Sequence, residues 1–375
     1  MERSRFAFRT DASDQMGTGH VMRCLTLAVA LRERGADCFF VCREYPGNLI
    51  EFIRQQGFEA HGIPWISPGS GLAPHRLADS SFSVGDSPHA AWETDAAETL
   101  EIIGGNSISC MIVDQYEICA DWERRLRSVC RRVMVIDDLA DRRHDCDLLL
   151  DQNLRSNAEA RYRPLVPADC CLKLGPTHVL LRPAFDRAPT RARHGEVCHV
   201  LVYFGGNDQH NQAGRTLAAL QNFPHLTAEI ILGPRHPYRD ALHAAASSQF
   251  VVLDTVNMAE AMSRADLAIG VCGIAAWERC AMGLPTLVCV NADNQREDAE
   301  NLHRLGAVEN LGESDAVNVD MWTNALSRML ADSARVTRMG EAAQTVVAGH
   351  TEKRGELLDW LCPSLGDSGQ TPSYP

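Results

Sequence analysis

A histidine follows a glycine pair near the start of the chain, in the segment Gly17-Thr18-Gly19-His20. The apolar spacing after His20 predicts a helix, and the positive end of a helix dipole disfavours an imidazolium. His20 is therefore expected to be neutral and able to accept a proton, which suits a general base. The alternative, a histidine that only caps or packs the turn, fits the spacing equally well.

A second candidate site is the segment Gly270-Val271-Cys272-Gly273, between a predicted buried strand and a predicted helix. Free backbone amides at Gly273, Ile274 and Ala275 can bind a diphosphate without any lysine. Glu278 lies one turn into this helix, where its carboxylate can accept hydrogen bonds from the hydroxyls of a ribose. The alternative is a half-buried helix in which Glu278 forms only a structural ion pair.

Weaker signals follow other predicted strands. Gly205 and Gly206 would allow a ligand to approach the backbone closely. Asn294 opens a predicted helix and is either an ordinary N-cap or an amide that orients a sugar or a water. Tyr116, after a buried strand, either hydrogen-bonds a sugar or packs at the rim of the sheet.

The charged residues exclude several function classes. The 36 basic residues include only two lysines, Lys173 and Lys353, and the formal net charge is −13. Neither lysine has the context of a Walker-A loop or of a Schiff base. Scattered arginines in an acidic chain do not favour nucleic-acid binding. Met22 occupies the third glycine position of the dinucleotide fingerprint, which disfavours NAD.

No metal or other cofactor is expected. Asp137-Asp138 lacks a third ligand at suitable spacing, so Asp138 is expected to pair with Arg142 as a structural contact. The fourteen cysteines are scattered without a C-x-x-C pair and are expected to be reduced core thiols. A charged N-terminus and short apolar runs favour a cytoplasmic protein with a small-molecule substrate and no membrane partner.

The elements that must position these residues are strands and helices in alternation, which implies parallel sheets with ligands at the carboxyl ends of the strands. We predict an α/β fold of two Rossmann-like domains facing a cleft. The predicted division is a domain over residues 1–187, a domain over 197–350, a C-terminal helix over 351–362 and a disordered tail over 363–375. The stretches 64–88 and 188–196 are predicted to be an insertion and a linker.

Taken in order over about residues 5–310, several motifs resemble one known family. They are the segments 9–11, 17–24, 113–116, 135–140, 146–153, 180–183, 205–208, 277–280 and 294–295. As a set they are similar to the UDP-2,4-diacetamido-2,4,6-trideoxy-β-L-altropyranose hydrolases of pseudaminic acid biosynthesis. The resemblance implies a glycosyltransferase-B-type fold, with the sugar on the first domain and UDP on the second. It also implies metal-independent hydrolysis at the anomeric carbon, with inversion.

The resemblance further implies roles for individual residues. The proposed base of the family maps to His20, while Tyr116 and Asn294 would lie near the sugar and the attacking water. Glu278 would bind the UDP ribose. Relatives often carry small hydroxyl residues where this chain has Ile274 and Ala275, so backbone amides would hold the diphosphate. The substrate contacts expected besides Glu278 are Asp11, Gly19, Arg23, Gly205, Gly206, Gly273, Ile274, Ala275 and Gln295.

Two other functions remain open at this point. A glycosyltransferase of the same fold would transfer the sugar to an acceptor, because one fold hosts both reactions. A non-catalytic protein that binds a nucleotide sugar is the second alternative.

Overall fold

A computed structural model of the protein describes residues 4–14, 16–65, 89–187, 195–206, 208–233, 236–254 and 256–363. These residues form two compact units, each built on a parallel sheet. The first unit contains the described parts of 1–151, 157–174 and 349–375. The second contains those of 152–156 and 175–348.

Strands and helices alternate along the chain as the sequence predicts. The strands are β1 (Arg5–Thr10), β2 (Asp37–Arg43), β3 (Glu59–Ile63), β4 (Ile108–Asp114), β5 (Cys130–Ile136), β6 (Leu148–Asp151), β7 (Cys171–Leu174), β8 (His199–Tyr203), β9 (Thr227–Ile231), β10 (Phe250–Leu253), β11 (Leu267–Val271), β12 (Thr286–Val290) and β13 (Glu309–Glu313). The helices are α1 (Gly19–Glu33), α2 (Ile50–Gln55), α3 (His89–Ile103), α4 (Ala120–Leu126), α5 (Ala158–Tyr162), α6 (Pro183–Arg187), α7 (Gln212–Leu220), α8 (Arg239–Ala245), α9 (Met258–Arg264), α10 (Ile274–Ala281), α11 (Asp293–Arg304), α12 (Val319–Ala331), α13 (Ser333–Val346) and α14 (His350–Leu361).

Both sheets reverse their strand order beside the first strand of the unit. The sheet of the first unit has seven strands in the order β3-β2-β1-β4-β5-β6-β7. The sheet of the second unit has six strands in the order β10-β9-β8-β11-β12-β13. Such a reversal opens a crevice at the carboxyl ends of the two central strands. Thr10 pairs with Asp114 across β1 and β4, so the loops after these strands leave the sheet side by side.

The strands form because their apolar runs are covered on both faces, as parallel sheets require. Val133, Leu149 and Met111 lie in the core of the first unit, and Leu201 and Ile269 lie in cores of the second. Every cysteine is a free thiol and most are buried, which confirms the predicted core role. No helix within the described ranges is long and apolar enough to cross a membrane.

The observed division of the chain differs from the predicted one at three places, one of which is residues 152–156, predicted in the first domain but part of the second unit. Residues 175–187, assigned by sequence to the first domain, belong to the second unit because Val179, Leu181 and Phe185 enter its core. The C-terminal helix α14 belongs to the first unit, where the Arg132 guanidinium lies 4.6 Å from the centre of the Trp360 ring.

Three predicted segments fall mostly or wholly outside the described residues. They are the insertion 64–88, the linker 188–196 and the tail 363–375. The last three helices, α12, α13 and α14, are separate because the chain breaks at Asp332 and at Gly349, whose φ is 83°.

Candidate functional site

His20 is the second residue of α1, and a carboxylate orients its ring. The side chain is 6% exposed, and Nδ1 lies 2.6 Å from Oδ1 of Asp114 at the end of β4. Burial opposes ionisation of Asp114, but Arg23 and His20 outweigh it and hold the pKa of this carboxyl well below its usual range. An ionised carboxylate only accepts hydrogen bonds, so Nδ1 carries a proton in this contact, and in the neutral ring the lone pair lies on Nε2.

The free nitrogen of His20 is therefore the one that could act as a base. Nε2 forms no hydrogen bond with any described residue. Arg23 Nη2 lies 3.2 Å from Nδ1, but a protonated Nδ1 cannot accept from it. A histidine held by a carboxylate on one nitrogen and open on the other has the arrangement of a general base.

Arg23 lies one turn further along α1 and joins two carboxylates. Its guanidinium donates to Asp114 through Nε at 2.6 Å and through Nη2 at 2.7 Å. It also donates to Asp138, through Nη1 and Nη2 at 2.8 Å each. Burial would lower the pKa of Arg23, but the two aspartates outweigh it and raise the pKa. The predicted contact of Arg23 with substrate stays a prediction. In the structure, the guanidinium binds both Asp114 and Asp138 through two hydrogen bonds each.

The expected pair of Asp138 with Arg142 is wrong. Arg142 Nη1 lies 2.9 Å from Oδ1 of Asp137, the neighbouring residue. Asp137 Oδ2 accepts from the backbone nitrogens of Leu139 and Ala140, which turns the chain and directs its carboxylate away from that of Asp138. Asp138 instead accepts hydrogen bonds from Arg23 and Tyr116.

Tyr116 is brought against His20, as its candidate role requires. The two rings meet edge to face at 87°, with centroids 4.5 Å apart. The Tyr116 hydroxyl donates to Oδ2 of Asp138 at 3.1 Å. Burial and the charge of Asp138 raise the pKa of Tyr116, so the phenol stays protonated. The hydroxyl hydrogen of Tyr116 is used in the bond to Asp138. The lone pairs of the hydroxyl oxygen can accept a hydrogen bond from another group.

Asp11 follows β1 and is completely buried. Its Oδ1 accepts from Arg9 Nη1 at 2.7 Å and from the backbone nitrogen of Arg43 at 2.6 Å. Its Oδ2 has no hydrogen-bond partner among the described residues. Asp11 thus belongs to a buried ion network that also includes Asp95 of α3. Its predicted contact with substrate, like that of Gly19 at the start of α1, is not tested by the geometry.

In the second unit, α10 starts with open backbone amides. Within the described chain, the N–H groups of Ile274 and Ala275 have no acceptor, whereas that of Ala276 bonds to the Gly273 carbonyl at 2.8 Å. A Cβ at Gly273 would meet nothing closer than Nε2 of Gln295, at 3.7 Å. Gly273 therefore leaves space in front of the amides of Ile274 and Ala275. Open amides with free space at the start of a helix suit the binding of an anion.

Two residues with amide side chains, Asn294 and Gln295, lie in the first turn of α11. Gln295 Oε1 accepts from the backbone nitrogen of Asn291 at 3.3 Å, which turns its NH₂ group toward Gly273. Asn294 is exposed and is not an N-cap, because the helix begins one residue earlier, at Asp293, with Ala292 as its cap. The Asn294 side chain makes no hydrogen bond to a described residue.

Glu278 is buried on α10 and forms an ion pair, but not with its neighbour Arg279. Its Oε1 accepts from Arg182 Nε at 2.9 Å, and Arg182 Nη2 lies 2.7 Å from the same oxygen. Burial raises the pKa of Glu278 against the opposing effect of Arg182. Arg279 instead donates to the Val271 carbonyl at 2.6 Å. Since both arginine nitrogens approach Oε1, Oε2 is left to accept from a ligand hydroxyl.

The glycine loop after β8 differs from the one before α10. The helix that follows, α7, already has a carboxylate at its start: Asp208 accepts from the backbone nitrogens of Gln212 at 2.8 Å and Ala213 at 2.7 Å. A Cβ at Gly233 would lie 2.6 Å from the Gly206 Cα, so two loops approach closely here. The predicted contacts of Gly205 and Gly206 with substrate stay predictions, and Asn207 lies outside the described residues.

Sequence reasoning missed Asp114 as the partner of His20, and Asp138 as a partner of Arg23 and Tyr116. Asp114 ends β4 and Asp138 follows the neighbouring parallel strand β5, and this placement was the signal that the sequence offered. The sequence does not show which side chain of Asp137-Asp138 faces α1. Among the described residues, no three His, Cys, Asp or Glu side chains are grouped to hold a metal ion.

Comparison with known proteins agrees with this fold. Residues 229–354 match the family model of the glycosyltransferase family 28 C-terminal domain. The UDP-2,4-diacetamido-2,4,6-trideoxy-β-L-altropyranose hydrolase of Campylobacter jejuni is 26% identical over 205 residues, which cover 54% of this chain and 61% of that protein. An uncharacterized protein of Methanocaldococcus jannaschii is 23% identical over 305 residues, covering 78% of this chain and 57% of that protein.

The fold is also found in solved structures. MurG of Acinetobacter baumannii superposes with a TM-score of 0.65 at 14% identity, covering 96% of this chain and 99% of MurG. The predicted glycosyltransferase-B-type fold and the predicted resemblance to the hydrolases are thus confirmed. The chain spans 53–61% of the length of the curated relatives that it matches.

Proposed function

We propose that this protein hydrolyses a UDP-linked 2,4-diacetamido-2,4,6-trideoxy sugar, in the L-altrose form, to UDP and the free sugar with inversion at the anomeric carbon. The observation that carries the proposal is the pair of His20 and Asp114, with Nδ1 and Oδ1 2.6 Å apart. This pair leaves Nε2 as a base in a buried, charged environment. A base held in this way activates a water molecule for attack on a carbon centre.

In the proposed reaction, the water oxygen attacks C1 while the bond from C1 to the UDP oxygen breaks. The bonding electron pair leaves with UDP, and the water proton goes to His20 Nε2. The transition state is oxocarbenium-like, and attack on the face opposite UDP gives inversion. Tyr116 and Asn294 are proposed to orient the sugar and the attacking water.

The second unit is proposed to bind the nucleotide. The open amides of Ile274 and Ala275 and the NH₂ group of Gln295 are donors that suit the diphosphate. They would also stabilise the charge that develops on departing UDP, so that no protonated acid is needed. The free oxygen of Glu278 accepts from the ribose hydroxyls. This assignment explains how a chain with few lysines binds an anionic ligand.

The relatives support a UDP-sugar as the substrate. The Campylobacter jejuni relative is named as a hydrolase of this substrate, and its aligned part includes just over half of the chain.

The test is incubation of the full chain with a panel of UDP-sugars, without metal or acceptor, followed by NMR. We expect UDP and a free sugar to be released, with the 2,4-diacetamido-2,4,6-trideoxy-L-altrose form preferred. The first anomer formed should be the inverted one. Release of the retained anomer, or no release from any UDP-sugar, would contradict the proposal.

A glycosyltransferase is the second candidate, because the match to a glycosyltransferase family 28 domain and the fold of MurG favour it. It predicts that UDP release requires an acceptor and that the sugar is recovered on that acceptor. A protein that only binds nucleotide sugars predicts tight binding and no product over hours. The incubation without acceptor separates the hydrolase from the other two functions, and repeating it with candidate acceptors separates the transferase from a protein that only binds.

A further inference from the structure

The side chain of Glu278 is held through one of its two oxygens. Arg182 Nε lies 2.9 Å and Nη2 2.7 Å from Oε1, and both nitrogens belong to one planar guanidinium. Among the described residues, Arg182 is the one hydrogen-bond donor to this carboxylate. The ion pair therefore fixes the orientation of the carboxylate and leaves Oε2 available to a ligand.

Packing in the second unit brings Arg182 to α10. Leu181 and Phe185, which lie on either side of Arg182 in the chain, are buried in the same core cluster as Trp277, the neighbour of Glu278. The Arg182 guanidinium also lies 5.0 Å from the centre of the Phe185 ring, where it is attracted by the aromatic face. The core thus positions both partners of the ion pair.

Two other polar side chains near Glu278 do not replace Arg182. Arg279 is buried and donates to the Val271 carbonyl at 2.6 Å. The phenol of Tyr203 makes no hydrogen bond to a described residue, and burial together with the charge of Glu278 raises its pKa, so it stays neutral. The charge and the orientation of the Glu278 carboxylate therefore depend on Arg182.

Glu278 lies close to the open amides at the start of α10. Four residues separate it from Ile274, which corresponds to about 6 Å along the helix axis. The ribose of a nucleoside diphosphate is joined to its phosphates, so a diphosphate at these amides places the ribose within reach of a carboxylate one turn further on.

We propose that Arg182 is a positioning residue for the nucleotide: it holds Oε1 of Glu278 so that Oε2 faces the ribose hydroxyls, and the site thereby prefers a nucleoside diphosphate with these hydroxyls over one without them. The inference rests on the proposed function, in which Glu278 accepts hydrogen bonds from the ribose. Arg182 itself requires no contact with UDP in this role.

Loss of Arg182 removes the support of the carboxylate. Without the two donors, the carboxylate is free to turn about its terminal bond, and fixing it when UDP binds costs conformational entropy. Burial raises the pKa of Glu278 and Arg182 opposes this effect, so a carboxyl without Arg182 is also a weaker acceptor. Both changes weaken hydrogen bonds to the ribose and leave the amides of Ile274 and Ala275 as they are.

The experiment measures the dissociation constants of UDP and of 2′,3′-dideoxy-UDP, which lacks both ribose hydroxyls, by calorimetry with the full chain. Arg182→Met keeps the length of the side chain and removes its charge and donors, whereas Arg182→Lys keeps the charge and a donor. Arg264→Met is the matched control, because Arg264 also lies in the second unit and forms an ion pair, with Nη2 2.9 Å from Oε1 of Glu229.

The unmodified chain is expected to bind UDP about 10- to 100-fold more tightly than dideoxy-UDP, as hydrogen bonds to a charged group predict. In Arg182→Met the dissociation constant of UDP should rise about tenfold, the lower end of this range, because Arg182 is only half-buried. That of dideoxy-UDP should not change. Arg182→Lys should recover part of the preference, and Arg264→Met should keep all of it.

A combined variant tests whether Arg182 acts through Glu278. Two changes that act through one contact are not additive, so Arg182→Met should cause no further loss of UDP binding in a chain that already carries Glu278→Gln. An additive loss would contradict the positioning role.

A folded Arg182→Met variant that keeps the full preference for UDP would overturn the inference. Equal weakening of both ligands would also overturn it, because Arg182 would then contact the diphosphate directly. If Arg182→Met does not fold, Arg182→Gln takes its place under the same two criteria.

The outcome also separates this inference from the proposed function. Absence of the preference in the unmodified chain would refute the ribose contact of Glu278 and the role of Arg182 with it. A preference that falls in Arg182→Met, in a chain that hydrolyses no UDP-sugar, would refute the hydrolysis and support the role of Arg182.

Discussion

Oδ1 of Asp114 lies 2.6 Å from Nδ1 of His20, at the point where β4 ends beside the start of α1. The register of β1 and β4 pairs Thr10 with Asp114 and so places the glycine loop before α1 next to this carboxylate. The contact fixes both the tautomer and the orientation of the imidazole. Transfer of the water proton to His20 in the proposed reaction depends on this contact.

Replacing Asp114 with Asn tests the orienting contact. An amide can donate to Nδ1, which would favour the wrong tautomer and place the proton on Nε2. We expect kcat to fall by about 10²–10⁴-fold, the range found for general bases and for a triad carboxylate. The measurement is initial-rate kinetics with UDP-sugar, and Asp121→Asn, a half-buried change on α4, is the control. Equal rates for both variants would rule out the role of Asp114.

Replacing His20 with Gln removes the base and keeps a polar side chain. Turnover should fall by about 10²–10⁴-fold, because general base assistance contributes about that much. UDP binding by titration calorimetry should not change, since the nucleotide contacts are assigned to the other unit. Turnover close to that of the unmodified protein would eliminate His20 as the base.

Replacing Glu278 with Gln tests the nucleotide side. Loss of the charged acceptor should weaken UDP binding by about 10- to 100-fold, since hydrogen bonds to charged groups contribute about 1.5–3 kcal/mol. Binding of UDP is measured by calorimetry, with Glu260→Gln, an exposed change at the start of α9, as the control. If the dissociation constant of the Glu278 variant matches that of the control, the ribose contact is refuted.

Stability should decline in acid because several buried carboxylates have lowered pKa values. Burial opposes the ionisation of Asp95 and Asp137, but arginine partners outweigh it, namely Arg9 and Arg43 for Asp95. A carboxyl with a lower pKa in the folded chain stabilises the fold above its unfolded pKa of about 4, and the contribution is lost as pH falls toward the folded value. Urea unfolding should show the free energy of unfolding falling from about pH 5 downward.

The variant Asp95→Asn provides the control for this acid effect. It should be destabilised at pH 7, because Arg9 and Arg43 lose a buried counter-charge. It should then lose less stability between pH 5 and pH 3 than the unmodified chain. An identical pH slope for the two proteins would show that Asp95 is not part of the acid response.

The fold and the place of His20 at the start of a helix could be predicted, whereas the hydrogen bonds that connect His20 to its neighbours could not. Strand–loop–helix periodicity locates His20 and Gly273 at helix starts, and these positions require no tertiary information. A turn in the chain decides whether Asp137 or Asp138 contacts Arg23. Such a turn produces no periodic pattern in the sequence. The partner of Glu278 was missed for the same reason: Arg182 is distant in sequence and joins α10 only through packing.

The source of the oxygen in the products tests the central claim most directly. Hydrolysis in H₂¹⁸O, quenched early and analysed by mass spectrometry, should give UDP without ¹⁸O and a sugar that carries the label, because water attacks C1 and the bond from C1 to oxygen breaks. Label in the β-phosphate of UDP would mean cleavage at phosphorus. That result, or UDP release only in the presence of an acceptor, would contradict water activation by His20 at the anomeric carbon.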